Sequence, residues 1–179
     1  MTLLRVNRIL GKVEVVPMLG IAVGDLQVRP VGSQQAVELR VSPEDLPELG
    51  LADWLEAEGQ ATNLGEDGVR VELQVSATLR RSCARCLQDV DLAVRAEAEE
   101  TYHESGEGPL ITADTIDLEP IIQEAIVLAE PMRVLCKPDC RGLCPRCGKD
   151  LNEGPCECTD DDQDPRLAPL AKLLRPREE

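Results

Sequence analysis

Cysteine is the residue whose number and spacing point to chemistry in this chain. The 179-residue sequence contains eight cysteines. Two of them stand three positions apart in Cys83-Ala-Arg-Cys86, and the other six form a later tract: Cys136, Cys140, Cys144, Cys147, Cys156 and Cys158. Because Zn²⁺ prefers four tetrahedral ligands and binds thiolates well, eight thiolates suit two four-coordinate sites. The sequence therefore predicts two zinc ions as cofactors.

The strongest local signal in the later tract is Leu143-Cys-Pro-Arg-Cys-Gly148. Two cysteines on a tight turn allow backbone amides to point at the sulfurs. Gly148 can adopt the positive φ that such a turn prefers, since glycine has no Cβ to clash. We therefore expect a zinc knuckle at this segment, similar in kind to the one predicted at Cys83 and Cys86.

Spacing restricts the division of the eight ligands between two sites without fixing it. In the favoured division, the first pair joins the first two cysteines of the tract, and the other four close a site locally. These two sets are Cys83, Cys86, Cys136 and Cys140, and Cys144, Cys147, Cys156 and Cys158. In the alternative, Cys83 and Cys86 face Cys144 and Cys147. This division is favoured because the last four cysteines are close in sequence and can close one site locally. Its other site would close a loop of about fifty residues, which strongly constrains the unfolded chain.

All-cysteine zinc sites have no open position for an activated water, so both predicted sites are structural and the chain is not expected to be an enzyme. The sequence lacks the histidine pair of a zinc protease, a phosphate-binding glycine loop and a Gly-x-Ser-x-Gly elbow. The single histidine, His103, lies in the polar stretch from Glu97 to Gly108, where we expect an exposed loop. Its side chain is expected to be solvated.

Two strands must position the first cysteine pair. Apolar residues occupy every second position before and after the pair, which is the pattern of two half-buried strands. They are Val69, Val71, Leu73, Val75, Ala77 and Leu79 on one side, and Val90, Leu92, Val94, Ala96 and Ala98 on the other. The connection between them, taken as Arg80 to Asp89, is too long for a two-residue turn. We expect a zinc knuckle to close this hairpin.

A helix is predicted between Asp117 and Pro131, since Asp117 can cap the first turn, Pro120 is tolerated there and Pro131 blocks continuation. Its apolar face comprises Leu118, Ile121, Ile122, Ala125, Ile126, Leu128 and Ala129, and is expected to pack on the sheet. The end of this helix delivers the chain to Cys136.

The remaining elements are predicted less sharply. Residues 1–34 contain many glycines and prolines, and we expect short strands and turns there. A short strand is predicted over residues 37–41, and a brief helix containing Leu49, Leu51, Trp54 and Leu55 before Gly59. Near the C-terminus, Leu167, Leu170, Leu173 and Leu174 recur at helical spacing after an acidic linker.

These patterns predict an α+β fold, with an antiparallel β-rich body, one packed helix and C-terminal cysteine-rich zinc knuckles. The predicted organisation is a β-rich body over residues 1–131, a zinc-binding segment over 132–158, and an acidic linker with a docking helix over 159–179. The core must be aliphatic, because Trp54 and Tyr102 are the only aromatic residues. Bound metal would then help to stabilise a small aliphatic core.

The formal charge of -15 opposes free association with nucleic acid at long range. Positive charge is concentrated near the cysteines, with a local net of +3 over residues 80–87 and +4 over residues 132–149. These basic side chains either neutralise zinc tetrathiolates or form a recognition surface for RNA or a partner. The candidates for such contacts are Arg80, Arg81, Arg85, Arg141, Arg146 and Lys149.

Nothing in the sequence predicts export or membrane insertion. Arg5 and Arg8 interrupt the N-terminal apolar residues, and no later stretch approaches the roughly 18 apolar residues of a membrane span. We therefore expect a cytoplasmic protein, where thiols stay reduced and clustered cysteines bind metal.

At the cysteine motifs the chain resembles the YceD family, the large ribosomal RNA subunit accumulation proteins. The resemblance spans about residues 70–174 and rests on Cys83-Ala-Arg-Cys-Leu87, on the helix after Asp117, on residues 140–152, on Cys156-Glu-Cys158 and on Asp164-Pro-Arg-Leu-Ala-Pro-Leu170. Leu167 stands where the family often has an aromatic residue. The resemblance implies a cytoplasmic, non-enzymatic protein needed for normal levels of large-subunit (23S) ribosomal RNA, acting in ribosome assembly.

The sequence is therefore consistent with two alternative functions. In the first, the zinc protein works through a ribosomal protein or a large-subunit precursor, with direct RNA contact only through the basic knuckles, and without a membrane or a small-molecule substrate. Scarce aromatic residues and negative charge disfavour an autonomous RNA binder. In the second, the chain is a redox-switched zinc chaperone, in which cysteine oxidation releases metal and unfolds the tail.

Overall fold

The fold is given by a computed structural model, which describes residues 5–9, 12–16, 19–106 and 108–158 and, in the first two ranges, the main chain alone. The strands are β1 (Arg5–Ile9), β2 (Lys12–Val16), β3 (Gly20–Ala22), β4 (Gln34–Val41), β5 (Leu55–Asn63), β6 (Val69–Ser82), β7 (Asp89–Tyr102) and β8 (Thr115–Asp117). The helices are α1 (Gly24–Gln27) and α2 (Glu119–Ala129), with 3₁₀ turns at Pro47–Leu49 and Gly65–Asp67. The predicted α+β class is confirmed. The predicted acidic linker and docking helix over 159–179 lie outside the described residues.

A four-stranded antiparallel sheet in the order β4-β5-β6-β7 forms the centre of the fold. β6 and β7 pair over their whole length, from Val69 opposite Tyr102 to Ser82 opposite Asp89. All six alternating residues of β6 are buried: Val69, Val71, Leu73, Val75, Ala77 and Leu79. The two predicted half-buried strands are therefore present. Two smaller antiparallel pairs, β1-β2 and β3-β8, accompany this sheet.

Both long strands extend further than their apolar pattern predicts. The connection is residues 83–88 rather than 80–89, so Arg80 and Arg81 belong to β6. At the other end, β7 continues to Tyr102, and the exposed loop expected over Glu97 to Gly108 is wrong in its first half. Tyr102 is buried, and its hydroxyl donates a hydrogen bond to the Asp117 carbonyl at 2.9 Å. Cross-strand pairing, rather than hydrophobicity, extends both strands.

The brief helix predicted before Gly59 is also wrong, because Leu55 begins β5 and Gly59 lies in the middle of that strand. A Cβ on Gly59 would lie 2.0 Å from the Glu72 carbonyl oxygen of β6. Glycine is thus required for the close approach of the two backbones. The residue that looked like a helix terminator is the residue that permits strand pairing.

Helix α2 begins and ends as predicted. The amide of Glu119 donates to Asp117 Oδ1 at 3.0 Å, Pro120 lies in the first turn, and the helix stops before Pro131. It packs on β7 and β6 and buries Ile121, Ile122, Ala125 and Ile126. The predicted face was too long, since Leu128 and Ala129 are exposed. Leu128 lies about two turns after the buried Ile121 and therefore on nearly the same face, so the exposure of Leu128 and Ala129 follows from their position in the last turn of the helix.

The core is built from aliphatic residues, as the composition predicts. The largest fully buried side chains are those of leucine, isoleucine and valine. Trp54 stays 45% exposed, and the Arg40 guanidinium lies 4.9 Å from its ring centre. None of the described helices is both long and apolar enough for a membrane crossing.

An ion pair joins the end of β6 to the end of α2. Arg81 donates from Nε to Glu130 Oε1 at 2.5 Å and from Nη2 to Glu130 Oε2 at 2.8 Å. Its Nη1 also donates to the Leu49 carbonyl at 2.9 Å. Both side chains are about three-quarters shielded from solvent, and the hydrogen bond from Arg81 lowers the pKa of Glu130. This pair fixes where the chain leaves α2 toward Cys136.

We predict that Arg81→Met lowers the free energy of unfolding by about 1.5–3 kcal/mol at neutral pH, because it removes charged hydrogen bonds from a shielded position. The matched control is Arg80→Met. Arg80 contacts Asp91 at 3.5 Å with both side chains more than half exposed, so this change costs at most about 1 kcal/mol. Denaturant unfolding with saturating zinc measures both. Equal losses for the two variants would contradict the structural role of Arg81.

Candidate metal centres

The structure brings the eight sulfurs together in two groups of four. The inner cluster consists of Cys83, Cys86, Cys136 and Cys140, and the outer cluster of Cys144, Cys147, Cys156 and Cys158. Within each cluster, all sulfur atoms lie within 4.8 Å of one another. This is the favoured of the two divisions that the spacing left open, and the alternative division is not formed.

The sulfur separations fit a tetrahedral ion of the size of zinc. Four sulfurs at about 2.3 Å from Zn²⁺ are about 3.8 Å apart from one another. The inner cluster has Cys83 and Cys140 sulfurs at 3.8 Å and Cys86 and Cys136 sulfurs at 3.5 Å. In the outer cluster, the sulfurs of Cys144 and Cys156 are 3.5 Å apart. These distances are far longer than the roughly 2.05 Å of a disulfide bond.

The two knuckles share one backbone conformation. The amide of Leu87 donates to the Cys83 carbonyl at 3.0 Å, and the amide of Gly148 donates to the Cys144 carbonyl at 2.9 Å. Both residues have positive φ, 61° at Leu87 and 72° at Gly148. The sequence predicts this conformation at Gly148. It does not predict it at Leu87, because the left-handed conformation costs a leucine about 1–2 kcal/mol relative to a right-handed one.

Electrostatics within each cluster favours a bound cation. Hydrogen bonding from the Cys86 amide lowers the pKa of Cys83 to about 6, and hydrogen bonding from the Cys147 amide lowers the pKa of Cys144 to about 6. Burial, by contrast, raises the pKa of Cys136 to about 12. The first thiolate thus forms easily in each cluster, whereas further ones need a positive charge. A divalent cation supplies that charge and deprotonates coordinated thiols.

The inner cluster joins the tip of the β6-β7 hairpin to the segment that follows α2. Its first two cysteines are distant in sequence from its last two, since Cys86 and Cys136 are 50 positions apart. The Ala84 amide also donates to the Val134 carbonyl at 2.8 Å. Three of the four cysteines are buried, and Val90, Leu135 and Leu143 pack around them. This cluster is therefore part of the interior of the protein.

The outer cluster rests on the inner one through specific hydrogen bonds. The Leu143 amide donates to the Arg85 carbonyl at 3.0 Å, and the Asn152 side-chain amide donates to the Cys140 sulfur at 3.4 Å. The Asn152 oxygen in turn accepts from the Arg141 amide at 2.9 Å. Asn152 thus touches a ligand of the inner cluster from the loop that builds the outer one, a role the sequence did not suggest.

The six predicted contact residues have different environments. Arg80 and Arg81 are engaged in the ion pairs described above. Arg85 donates from Nη1 to the Cys140 carbonyl at 2.6 Å, and Lys149 donates to the Pro155 carbonyl at 2.9 Å. The side chains of the last four candidates, Arg85, Arg141, Arg146 and Lys149, are exposed around the two clusters. A role of all six in binding RNA or a partner stays a prediction.

A family model described as large ribosomal RNA subunit accumulation protein YceD matches residues 71–174, a segment that contains both clusters. The chain belongs to the YceD family. The YceD match begins within β6 and covers β7, α2 and all eight cysteines. The residues before it, including β1 to β5, lie outside the matched segment.

Curated relatives agree with this membership. A protein of Mycobacterium tuberculosis named only as uncharacterised is 36% identical over 121 residues, covering 62% of this chain and 58% of the relative. The uncharacterised protein YlbN of Bacillus subtilis is 32% identical over 119 residues, covering 62% of this chain and 69% of YlbN. A chloroplastic protein of Arabidopsis thaliana, named large ribosomal RNA subunit accumulation protein YCED homolog 1, is 31% identical over 58 residues, covering 32% of this chain and 18% of that protein. No solved structure matches the chain significantly.

We predict that the purified chain binds two Zn²⁺ ions, as counted by native mass spectrometry under reducing conditions. Substitution by Co²⁺ is expected to give the absorption bands of tetrahedral thiolate coordination, because both clusters present four sulfurs. Cys158→Ser should reduce the stoichiometry to one ion and leave the body folded. A wild-type chain that carries no metal after reduction and reloading would contradict the assignment.

Gly142 offers a test of the contact between the clusters. It has φ of +76°, and a Cβ there would lie 2.9 Å from the Arg85 carbonyl oxygen. Gly32 has a similar φ of +86° with no atom near the Cβ position. We predict that Gly32→Ala lowers the free energy of unfolding by about 1–2 kcal/mol, because of its backbone conformation alone. Gly142→Ala should lower the free energy of unfolding further and should also lower the zinc affinity. Thermal melting and chelator competition measure the two effects, and equal behaviour would show that the contact is unimportant.

Proposed function

We propose that this chain is a non-enzymatic zinc protein that supports the accumulation of large-subunit ribosomal RNA in the cytoplasm, acting through a ribosomal protein or a precursor particle. The observation that carries the proposal is the YceD match over residues 71–174, the segment that contains both clusters. The printed name of the Arabidopsis relative agrees with it. In this proposal zinc is structural and the eight cysteines are its ligands.

The geometry of the clusters supports a structural rather than a catalytic metal. Each cluster offers four sulfurs within 4.8 Å of one another, which is a complete tetrahedral ligand set. A catalytic zinc ion instead keeps one position for water or substrate. The inner cluster is also mostly buried, which opposes access by a substrate. Its role is to hold the segment after α2 against the sheet.

Charge on the sheet supports a basic protein as the direct partner. The face of the sheet turned away from the core carries Glu38 opposite Glu58, and Glu72 opposite Glu99. Directly opposed like charges destabilise a sheet, and a basic partner would relieve that repulsion. The face is concave, with a cavity of about 960 Å³ whose charged lining is Glu38, Glu56, Glu58 and Glu97 together with Arg40 and Arg95, so the acids are in excess. Many ribosomal proteins carry many basic residues with which they bind ribosomal RNA. A protein with this positive charge is electrostatically complementary to the acidic face of the sheet.

Direct contact with RNA is confined to the cluster region in this proposal. Arg85, Arg141 and Lys149 are exposed there, but each zinc tetrathiolate adds a charge of about -2 beside them. Their net attraction for phosphate is therefore small compared with that of an autonomous RNA binder. Only Tyr102 and Trp54 could stack on bases, and Tyr102 is buried.

We predict that the triple variant Glu38→Lys, Glu58→Lys and Glu97→Lys fails to restore large-subunit RNA in a strain that lacks the gene. The Glu38–Glu58 pair becomes a Lys–Lys pair, so like-charge repulsion between the strands is exchanged rather than increased. The thermal stability should therefore stay close to that of the wild type, and failure would then reflect lost binding. The matched control reverses three exposed acids elsewhere, Asp25→Lys, Glu44→Lys and Glu66→Lys, and should restore function. Ribosomal subunit profiles and the ratio of the two ribosomal RNAs provide the measurement.

Two results would count against this route. Full complementation by the sheet variant would exclude the acidic face as the partner surface. Tight binding of bare ribosomal RNA at physiological salt that survives charge reversal of Arg85, Arg141 and Lys149 would contradict an indirect mechanism. Normal subunit profiles after deletion of the gene would contradict the proposed function itself.

A further inference from the structure

The two clusters differ in their access to solvent. In the inner cluster, Cys83, Cys86 and Cys140 are 0%, 4% and 1% exposed. In the outer cluster only Cys144 is buried, Cys156 is partly exposed, and Cys147 and Cys158 are exposed. Cys136 of the inner cluster is partly exposed, so this cluster contains no fully exposed cysteine, whereas the outer cluster contains two. Reagents that attack sulfur will reach the second cluster first.

We infer that the outer cluster is a site of oxidative modification by peroxides, and that the inner cluster is protected from the same reagents. Susceptibility of cysteine to oxidation follows its thiolate character and its exposure. Coordination to a metal keeps all eight sulfurs as thiolates, so thiolate character does not distinguish the clusters. Exposure distinguishes them, and it does so at Cys147 and Cys158.

The reaction is a two-electron oxidation of two cysteines of the outer cluster by one peroxide. An exposed thiolate sulfur attacks one peroxide oxygen, the O–O bond breaks, and hydroxide leaves, which forms a sulfenic acid. A second thiolate of the cluster attacks that sulfur, forms the S–S bond and displaces a second hydroxide. Two protons convert the hydroxides to water. A metal ion held by the four cysteines would then lose two of its ligands and be released.

The cluster is compact enough for the second step. All its sulfurs lie within 4.8 Å of one another, so bond formation at about 2.05 Å needs only a local movement of the loop. The loop contains no strand and no helix among its described residues. Its residues 144–158 are therefore free to adjust without breaking a sheet or a helix. No comparable freedom exists at Cys83, which follows β6 directly.

Loss of the outer metal is expected to leave the rest of the protein in place. The four cysteines of the inner cluster, the Arg81–Glu130 ion pair and the Ala84–Val134 hydrogen bond all lie outside the outer loop. The loop contacts the inner cluster through the hydrogen bond from Asn152 to the Cys140 sulfur, and Asn152 is not one of the four cysteine ligands. The loop itself would lose its fixed conformation, together with the position of Lys149, whose amine donates to Pro155. If Lys149 contacts the partner, as the proposed function holds, oxidation weakens that contact.

The test is a titration of the full chain, loaded with two zinc ions, with hydrogen peroxide. A chromogenic chelator reports released zinc, and mass spectrometry after alkylation maps the oxidised cysteines. One zinc ion per chain is expected to leave first, with a single disulfide among Cys144, Cys147, Cys156 and Cys158. The fluorescence of Trp54, the only tryptophan, should stay unchanged through this phase, since the sheet is retained.

The double variant Cys147→Ser and Cys158→Ser provides a second arm. It should hold one zinc ion and release none at the peroxide dose that empties the outer cluster of the wild type. Should this variant fail to fold, the order of zinc release and the disulfide map of the wild type still decide the matter. Simultaneous loss of both ions, a first disulfide among Cys83, Cys86, Cys136 and Cys140, or resistance of both clusters at a dose that oxidises a free thiol would overturn the inference. These readouts do not depend on any role in ribosome assembly.

Discussion

The rest of the structure depends on one constraint. The four cysteine sulfurs of the inner cluster must meet at the tip of the β6-β7 hairpin. Residues 132–158 contain no helix and no strand, and Leu143 and Asp150 form only an isolated bridge. Such a segment cannot bury enough apolar surface to offset the entropy of ordering its backbone. The inner cluster overcomes this by linking Cys136 and Cys140 to a rigid hairpin. The described residues after Pro131, 132–158, take their position from that link.

Two preconditions make this link possible. The hairpin must be stiff enough to present Cys83 and Cys86, which full pairing of β6 with β7 provides. The chain leaving α2 must also arrive at the right place, and the Arg81–Glu130 ion pair anchors that end of the helix two residues before Cys83. The sheet, the helix and the inner cluster therefore depend on one another. A substitution at Arg81 is therefore expected to weaken the inner cluster, although it alters none of the four cysteines.

The parts of this fold that were predictable from sequence are those with a local physical signature. Alternation of valine and leucine identified β6 and β7, and Asp117 with Pro131 bounded α2 correctly. The strand β5 was missed because its central Gly59 makes a contact with β6 that no local pattern reveals. The division of cysteines was left open for the same reason, since partners 50 residues apart are set by strand pairing. Asn152 escaped notice because its contact with the Cys140 sulfur exists only after both clusters have formed.

The distribution of charge follows from the same architecture. The row of residues that contains Glu97 and Gln74 lies eight positions from the end of β6 at Ser82, which is about 27 Å along a strand. This distance is about three Debye lengths at physiological salt. Salt therefore screens the acids on the sheet from the basic residues at the tip. The sheet thus carries an acidic face, whereas at the tip arginine and lysine side chains lie beside the cysteine clusters and offset their charge. The length of the β6-β7 hairpin keeps these two regions electrostatically independent of each other.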